Sequence, residues 1–417
     1  MHDALRRRNF HLLLGGQFVS DFGGQLTVFA LPAIAILILH ASAMQVAALQ
    51  SAELAVIPLL ALPVGFVVDR VRRKPFMLRA NAVRLGAIAL LPAIACSGHL
   101  SIAWLFLAAV GAAIGSLCFD TAYQPFLRRM LGPVHYAGGN AKMATGAALA
   151  QAAGNAVAGP LVQCAGAAFA LAGNIVTYVA GSIALFRIDI PEEQPQHPEG
   201  EPIIHEALEG MRLTFGDRVL RNIALSSAVV YFGCAMVNAV LAMYVYRSLH
   251  VSAGAYGIIV GLSNVGIAGG LMARRVAERL GPRVALAAAI ATMAAGQLLY
   301  TGAAVPIAGI IIGRIVVSFA SPLFDVVQQT VVTFRVPEQA FGRTCAAMRA
   351  VTWSAFPAGA LAGGILAEHF GFQTTIAAGA LLCGVALVPL FWRSHAGRTW
   401  SACWPSPTLN LAQHSPA

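Results

Sequence analysis

Apolar stretches of span length recur along the whole chain, separated by short gaps that carry most of its charge. A helix that crosses a bilayer needs about 20 mainly apolar residues. That template predicts twelve spanning helices, near 14–39, 44–68, 80–96, 101–122, 143–163, 167–186, 222–246, 254–273, 284–303, 306–324, 345–367 and 372–392. Proline inside several of them (Pro32, Pro58, Pro63, Pro92, Pro160, Pro357) does not count against helix. In hydrocarbon, neighbouring helices re-satisfy the backbone groups that proline frees. The gap from Gly65 to Lys74 holds an acid and then four basic residues. It predicts a tight turn at a membrane surface.

Composition strengthens this picture. The 417 residues are 58% hydrophobic and 11% charged, with a mean hydropathy of +0.73, whereas soluble domains carry about 25% charged residues. The chain is therefore expected to be an all-α integral membrane protein. Seven cysteines without paired spacing give neither a zinc pattern nor a disulfide framework. The first apolar run is too long for a signal peptide's core and is expected to be the first span.

Charge fixes the expected orientation. Arg6, Arg7 and Arg8 precede the first span, and Arg70, Arg72, Arg73, Lys74 and Arg79 follow the second. Arg128, Arg129 and Lys142 lie in the loop after the fourth. Arg274, Arg275, Arg279 and Arg283 follow the eighth, and Arg335, Arg343 and Arg349 follow the tenth. The opposite loops hold little beyond Arg247, His40, His99, His250 and His369. The excess of basic residues on one side predicts that both termini are cytoplasmic, in a plasma membrane. The net charge of +10 belongs to this lining, so anionic headgroups and not nucleic acid are the expected partners.

Residues 191–220 break the apolar rhythm. A Pro-, Glu- and Gln-rich run leads into a short amphipathic helix, which predicts a cytoplasmic linker between an N-terminal half (1–190) and a C-terminal half (221–393). Residues 394–417 form the expected cytoplasmic tail. A shift of 205 residues pairs Gly65 with Gly270, Phe119-Asp120 with Phe324-Asp325, Gln124 with Gln329, and Gly159 with Gly364. Two parallel copies of a six-helix unit explain this, and such halves suit a transporter with its substrate site near the midplane.

The run Gly65-x-x-x-Asp69-Arg70-x-x-Arg73-Lys74 resembles the signature loop of the major facilitator superfamily, and the twelve-span layout matches it over nearly the whole chain. Arg7 to Phe10, Gly16 to Ser20 and Glu209 to Arg212 resemble the bacterial branch of enterobactin-type siderophore exporters and macrolide efflux pumps. Arg72 stands where the family pattern has Gly, which would tolerate a positive φ. The resemblance implies that Asp69, Arg70 and Arg73 belong to a cytoplasmic charge cluster that locks one state and breaks in the other. Asp120 is the expected partner of Arg73, with Asp325 facing Arg274 or Arg275 in the second copy. Gly146, Gly154 and Gly159-Pro160 resemble the antiporter signature of exporters, although close helix packing alone would also explain these small residues.

Charges deep within spans point to coupling and cargo, because an ionisable group at the bilayer centre costs about 2.5–3.5 kcal/mol on insertion scales. Asp21, Glu53 and Arg314 are the clear cases, and the 205-residue shift reproduces none of them in the other half. Glu53 or Asp21 is expected to couple protons, and Arg314 to hold an anionic substrate group or to pair with an acid. Gln17, Gln25, Tyr231, Asn238 and Asn155 are further candidates for the cavity wall. The chain lacks a His-Glu-x-x-His pair, a Gly-x-Ser-x-Gly elbow and a Gly-x-x-x-x-Gly-Lys loop. An enzyme and an ATP-driven pump are thus disfavoured. The expectation is a monomeric secondary transporter without cofactor, exporting an amphipathic small molecule against a proton gradient. An importer or a lysophospholipid flippase is the alternative on the same fold.

Overall fold

The computed structural model describes residues 2–68, 70–190, 203–263, 266, 268–302, 306–336 and 340–391. Every described regular element is helical: α1 (His2–Ala33), α2 (Ala43–Val68), α3 (Arg73–Cys96), α4 (Ile102–Ala165), α5 (Ala167–Phe186), α6 (Ile203–Gly216) and α7 (Arg218–Met243). Then come α8 (Ala253–Ser263), α9 (Ala268–Leu280), α10 (Pro282–Leu298), α11 (Pro306–Arg335), α12 (Phe341–Phe370), α13 (Phe372–Val385) and α14 (Leu387–Phe391). Ten described segments are long and apolar enough to cross a membrane. Each of the twelve predicted spans overlaps a described helix. Asp69, the Pro-rich part of the linker (191–202) and the tail from 392 lie outside the described residues.

Two departures have clear causes. The fourth and fifth spans are arms of one helical run, α4, whose single non-helical residue is Gly132 at φ 70°. Glycine tolerates that angle, and Pro133 after it suits the first turn of a new helix, where no N–H is needed. The second departure concerns α1 and α7. Each ends in a five-residue π-helical turn, Ile34–Ile38 and Tyr244–Ser248, followed by a histidine at positive φ, His40 and His250. These turns are related by a shift of 210, not 205. Leu39-His40-Ala41-Ser42-Ala43 and Leu249-His250-Val251-Ser252-Ala253 are near copies. After the first turn, Ser42 and Gln45 form a reciprocal capping box, Ser42 Oγ accepting from the Gln45 amide and Gln45 Oε1 from the Ser42 amide. Ser252 Oγ caps α8 in the same way.

The chain packs as two compact units. The first comprises Met1–Glu199, Ala239–Leu262 and Ala360–Phe372, and the second the remaining segments. In the first, Phe10, Met77, Phe119, Phe126 and Leu127 form the core. In the second, Ile223, Leu286, Ile290, Phe324 and Val327 do so. Large apolar side chains also face outward, Leu271 being 84% exposed and Phe186 71%. That surface suits lipid, where apolar exposure costs nothing.

The basic turn after α2 binds helix ends. Lys74 Nζ donates to the carbonyls of Phe186 (3.0 Å) and Ile188 (2.6 Å), capping the negative end of α5. Arg283 does the same for the last helix, donating to Leu390 O with its guanidinium over Phe391. Arg72 caps α3 with extended backbone (φ −63°, ψ 127°). No positive φ arises there, so Gly is not required.

Candidate functional site

The corrected shift for α1 and α7 changes which residues correspond. Asp21 on α1 matches Tyr231 on α7, ahead of the paired Phe22-Gly23 and Phe232-Gly233. Asp120 and Asp325 remain matched at 205. Each unit therefore holds a polar pair at equivalent positions, built differently.

In the first unit the pair is two carboxylates, Asp21 and Asp120, both within electrostatic range of one guanidinium. Gln17 Nε2 donates to Asp21 Oδ1 at 2.7 Å. Arg84 on α3 is buried (7% exposed) and attracts both Asp21 and Asp120, which repel each other. Arg84 donates to Tyr178 Oη (3.1 Å) and Asn81 Oδ1 (3.4 Å), with its guanidinium over the Tyr178 ring at 4.4 Å. Its Nε is buried without a hydrogen-bond partner. The close approach of α3 and α4 depends on Gly115. A Cβ there would lie 2.5 Å from Arg84 Cγ and 2.8 Å from Ala80 O. The second unit has Ala289 at the position matching Arg84, buried in the apolar core. Tyr231 Oη there donates to Asp325 Oδ1. The Tyr231 ring stacks on Phe356 (5.0 Å), which contacts Trp353 (5.8 Å). Asp325, Gln329, Thr330 and Thr333 lie along one open face of α11.

The remaining candidates are scattered. Glu53 is exposed on α2 and makes no hydrogen bond or ion pair among the described residues. Arg314 is half-buried on α11, its Nε without a partner. Gln25 packs over Gly154, where a Cβ would meet its Cβ at 2.7 Å. Asn155 is half-buried and Asn238 exposed. A Cβ at Gly65 would meet open space.

Arg73 makes no ion pair among the described residues, its Nε being buried without a hydrogen-bond partner, and the cation that acts on Asp120 is Arg84. Gly115 lets α3 and α4 approach closely, which brings the Arg84 charge within electrostatic range of Asp120 without an ion pair between them. Arg70 folds back onto Phe66, donating to its carbonyl and covering its ring. Arg274 pairs with Glu278 one turn along its own helix (2.7 Å), which satisfies it locally and leaves Asp325 to Tyr231. Arg275 is exposed.

At the end of α2 opposite the basic turn, the first unit carries a paired set of contacts absent from the sequence reading. Glu368 on α12 accepts from the Met44 amide at the start of α2 (3.0 Å). Gln163 on α4 accepts from the Gly254 amide at the start of α8 (2.9 Å). Gln163 and Glu368 are related by 205, Met44 and Gly254 by 210. Beneath them Gly159 meets Gly257, and Gly364 meets Ala47. A Cβ on Gly159 would sit 2.6 Å from Ala253 O, and one on Gly364 2.4 Å from Ala47 Cβ. Arg247 adds a bond to Ala41 O at 2.7 Å. For Gly154 and Gly159, close packing is thus a sufficient reason to be glycine.

Comparison with known proteins places this arrangement. A family model described as Transmembrane secretion effector matches residues 2–414. No curated protein matches the chain. Among solved structures, a bacterial homologue of the human lysosomal transporter Spinster is similar with a TM-score of 0.71 and 17% identity, over 97% of this chain and 99% of that one. A bacterial homologue of the iron transporter ferroportin gives 0.74 and 17%, over 93% and 99%. The nucleoside transporter NupG gives 0.73 and 11%, over 94% and 100%. At such identities the likeness is one of fold, and it extends over whole chains. The chain belongs to the Transmembrane secretion effector family and is a membrane transporter with the major facilitator fold.

Proposed function

We propose that the protein is a proton-coupled exporter of an amphipathic small molecule, with Asp21 as the coupling carboxylate. The observation that carries this reading is the Asp21–Arg84–Asp120 cluster, in which two acids compete for one buried cation. Protonating Asp21 would release Arg84 to Asp120, and deprotonation would draw it back. Two such arrangements would make the cluster a two-state element. Glu53 has no comparable counter-charge and serves as the comparison. Arg73 and Asp69 would exchange partners between states at the basic turn, with Asp120 open to Arg73 once Arg84 turns to Asp21.

The proposal includes a monomer in a bacterial plasma membrane, with both termini and the basic turn in the cytoplasm beside anionic headgroups. The two six-helix halves would meet at the linker 191–220, and no cofactor would be needed beyond the proton gradient. The test is proton movement in proteoliposomes with a panel of siderophores and hydrophobic drugs. Asp21→Asn is expected to abolish substrate-triggered proton movement, whereas Glu53→Gln retains it. Loss in Glu53→Gln alone would move the role to Glu53. Cargo that accumulates inside cells expressing the protein would reverse the direction, and lysophospholipid translocation without proton movement would indicate a flippase.

A further inference from the structure

The polar pair of the second unit has a different chemistry from the coupling cluster. Asp325 is exposed and accepts from Tyr231 through Oδ1; its other oxygen has no hydrogen-bond partner among the described residues. The surrounding cations do not neutralise it. Arg274 is held by Glu278. Arg349, one turn before Trp353 on α12, lies near Cys345 and makes no ion pair with Asp325. Arg314 lies on α11 eleven residues earlier, about 16 Å along the axis at the usual rise. A carboxylate with no counter-ion among the described residues leaves a charge for a ligand to satisfy.

Beside this charge lies an aromatic shelf. Tyr231 joins the two, with its hydroxyl on Asp325 and its ring stacked on Phe356 at an interplanar angle of 29°. Trp353 extends the shelf and is 36% exposed. Ring faces carry negative potential and attract organic cations, and the effect grows as water is excluded. Beside Asp325, Gln329, Thr330 and Thr333 supply hydrogen-bonding groups along one open face of α11. An anion would be repelled by Asp325 and by the ring faces together.

We propose that Asp325, Tyr231, Phe356 and Trp353 form a binding site for a lipophilic monocation, its charge on Asp325 and its apolar body on the aromatic shelf. The site deepens the export reading by naming a substrate class, and it assigns Asp325 to cargo where the family resemblance suggests gating. Gln329 and Thr333, one and two turns along α11, would hold polar substituents of the ligand.

The test is equilibrium binding to the purified full-length protein in detergent, with tetraphenylphosphonium as the probe and tetraphenylborate as its anion of matching shape. The expected result is preference for the cation. Asp325→Asn keeps the acceptor for Tyr231 and removes the charge, so the cation should bind about 10- to 100-fold more weakly, the range of a lost charged hydrogen bond. Trp353→Leu, at a partly exposed position, should weaken cation binding several-fold and leave thermal stability in place. Equal affinity for the two probes, no binding of the cation, or unchanged affinity in both variants overturns the site. No gradient is present in this assay, so its failure is distinct from failure of the coupling role of Asp21, which only proton movement reports.

Discussion

Arg84 shows how one buried charge can organise a unit. Its side chain is 7% exposed, and among the described residues it is held by Asn81, Tyr178 and the Phe119 ring, with two carboxylates at a distance. Removing the charge leaves Asp21 and Asp120 repelling each other with nothing between them. Arg84→Gln is expected to lower stability by about 1.5–3 kcal/mol, the scale of a charged hydrogen bond. The loss should appear as an earlier thermal transition of the purified protein, and Asp120→Asn in the same chain should restore part of it by removing the repulsion. Partial rescue is the informative outcome, because a merely structural loss of packing would not respond to the second change. Nothing in the sequence marks Arg84 as the centre of a cluster. Tyr178 and Phe119 look like ordinary lipid-facing or core aromatics until the fold brings them to the guanidinium. The same holds for Phe356 and Trp353, which no periodicity separates from apolar filling.

Helix placement was largely legible because hydrocarbon admits few backbone solutions, so length and apolarity decide most of it. The exceptions lie where a local event overrides the pattern. Gly132 turns the expected loop after the fourth span into a kink in a continuous helical run. The π turns of α1 and α7 correspond at a shift of 210 and not 205, and the uniform shift of 205 hid the match of Asp21 with Tyr231. The junction between α6 and α7 is a further device that composition did not reveal. Asp217 Oδ1 accepts from the amides of Val219 and Leu220, capping α7, while Oδ2 accepts from Arg335 at the end of α11 (2.9 Å). Glu209 on α6 pairs likewise with Arg343 at the start of α12. Partial burial pushes the Asp217 carboxyl up, but the Arg335 hydrogen bond, the two amides and the Arg335 charge outweigh it and hold the carboxyl below its usual range. A depressed carboxylate pKa contributes stability that is present above the unfolded value, about pH 4, and disappears as pH falls through the folded value. Asp217→Ala should therefore cost about 1–2 kcal/mol at pH 7, the scale of a lost helix cap. The gap between variant and parent should narrow below about pH 4. Thermal unfolding at pH 7 and pH 3.5 measures both arms, and a gap that stays constant would assign the loss to packing.

At the scale of the whole molecule, the contacts around Gln163 and Glu368 have the form expected of a gate that repeats the internal symmetry. Two helix starts are each capped by a side chain from another helix, and two small-residue crossings lie beneath them. Helix N-termini offer unsatisfied N–H groups to any acceptor within reach, so such caps form and break without rearranging a core. A transporter that alternates its access must part some helix contacts in every cycle, and these caps are contacts that can part without unfolding a core. The geometry permits a direct test. A Cβ on Gly254 would lie 3.6 Å from that of Gln163, within the range of about 3.5–4.5 Å that a disulfide spans. The neighbouring Cys164 is exposed and would compete, so it is first replaced by Ser. The Gln163→Cys/Gly254→Cys protein is expected to cross-link on mild oxidation, to lose transport, and to regain it with dithiothreitol. Cross-linking without loss of transport would mean that α4 and α8 stay joined through the cycle. Opening would then have to occur at contacts other than this crossing, and the Glu368 cap on α2 would be the next pair to lock.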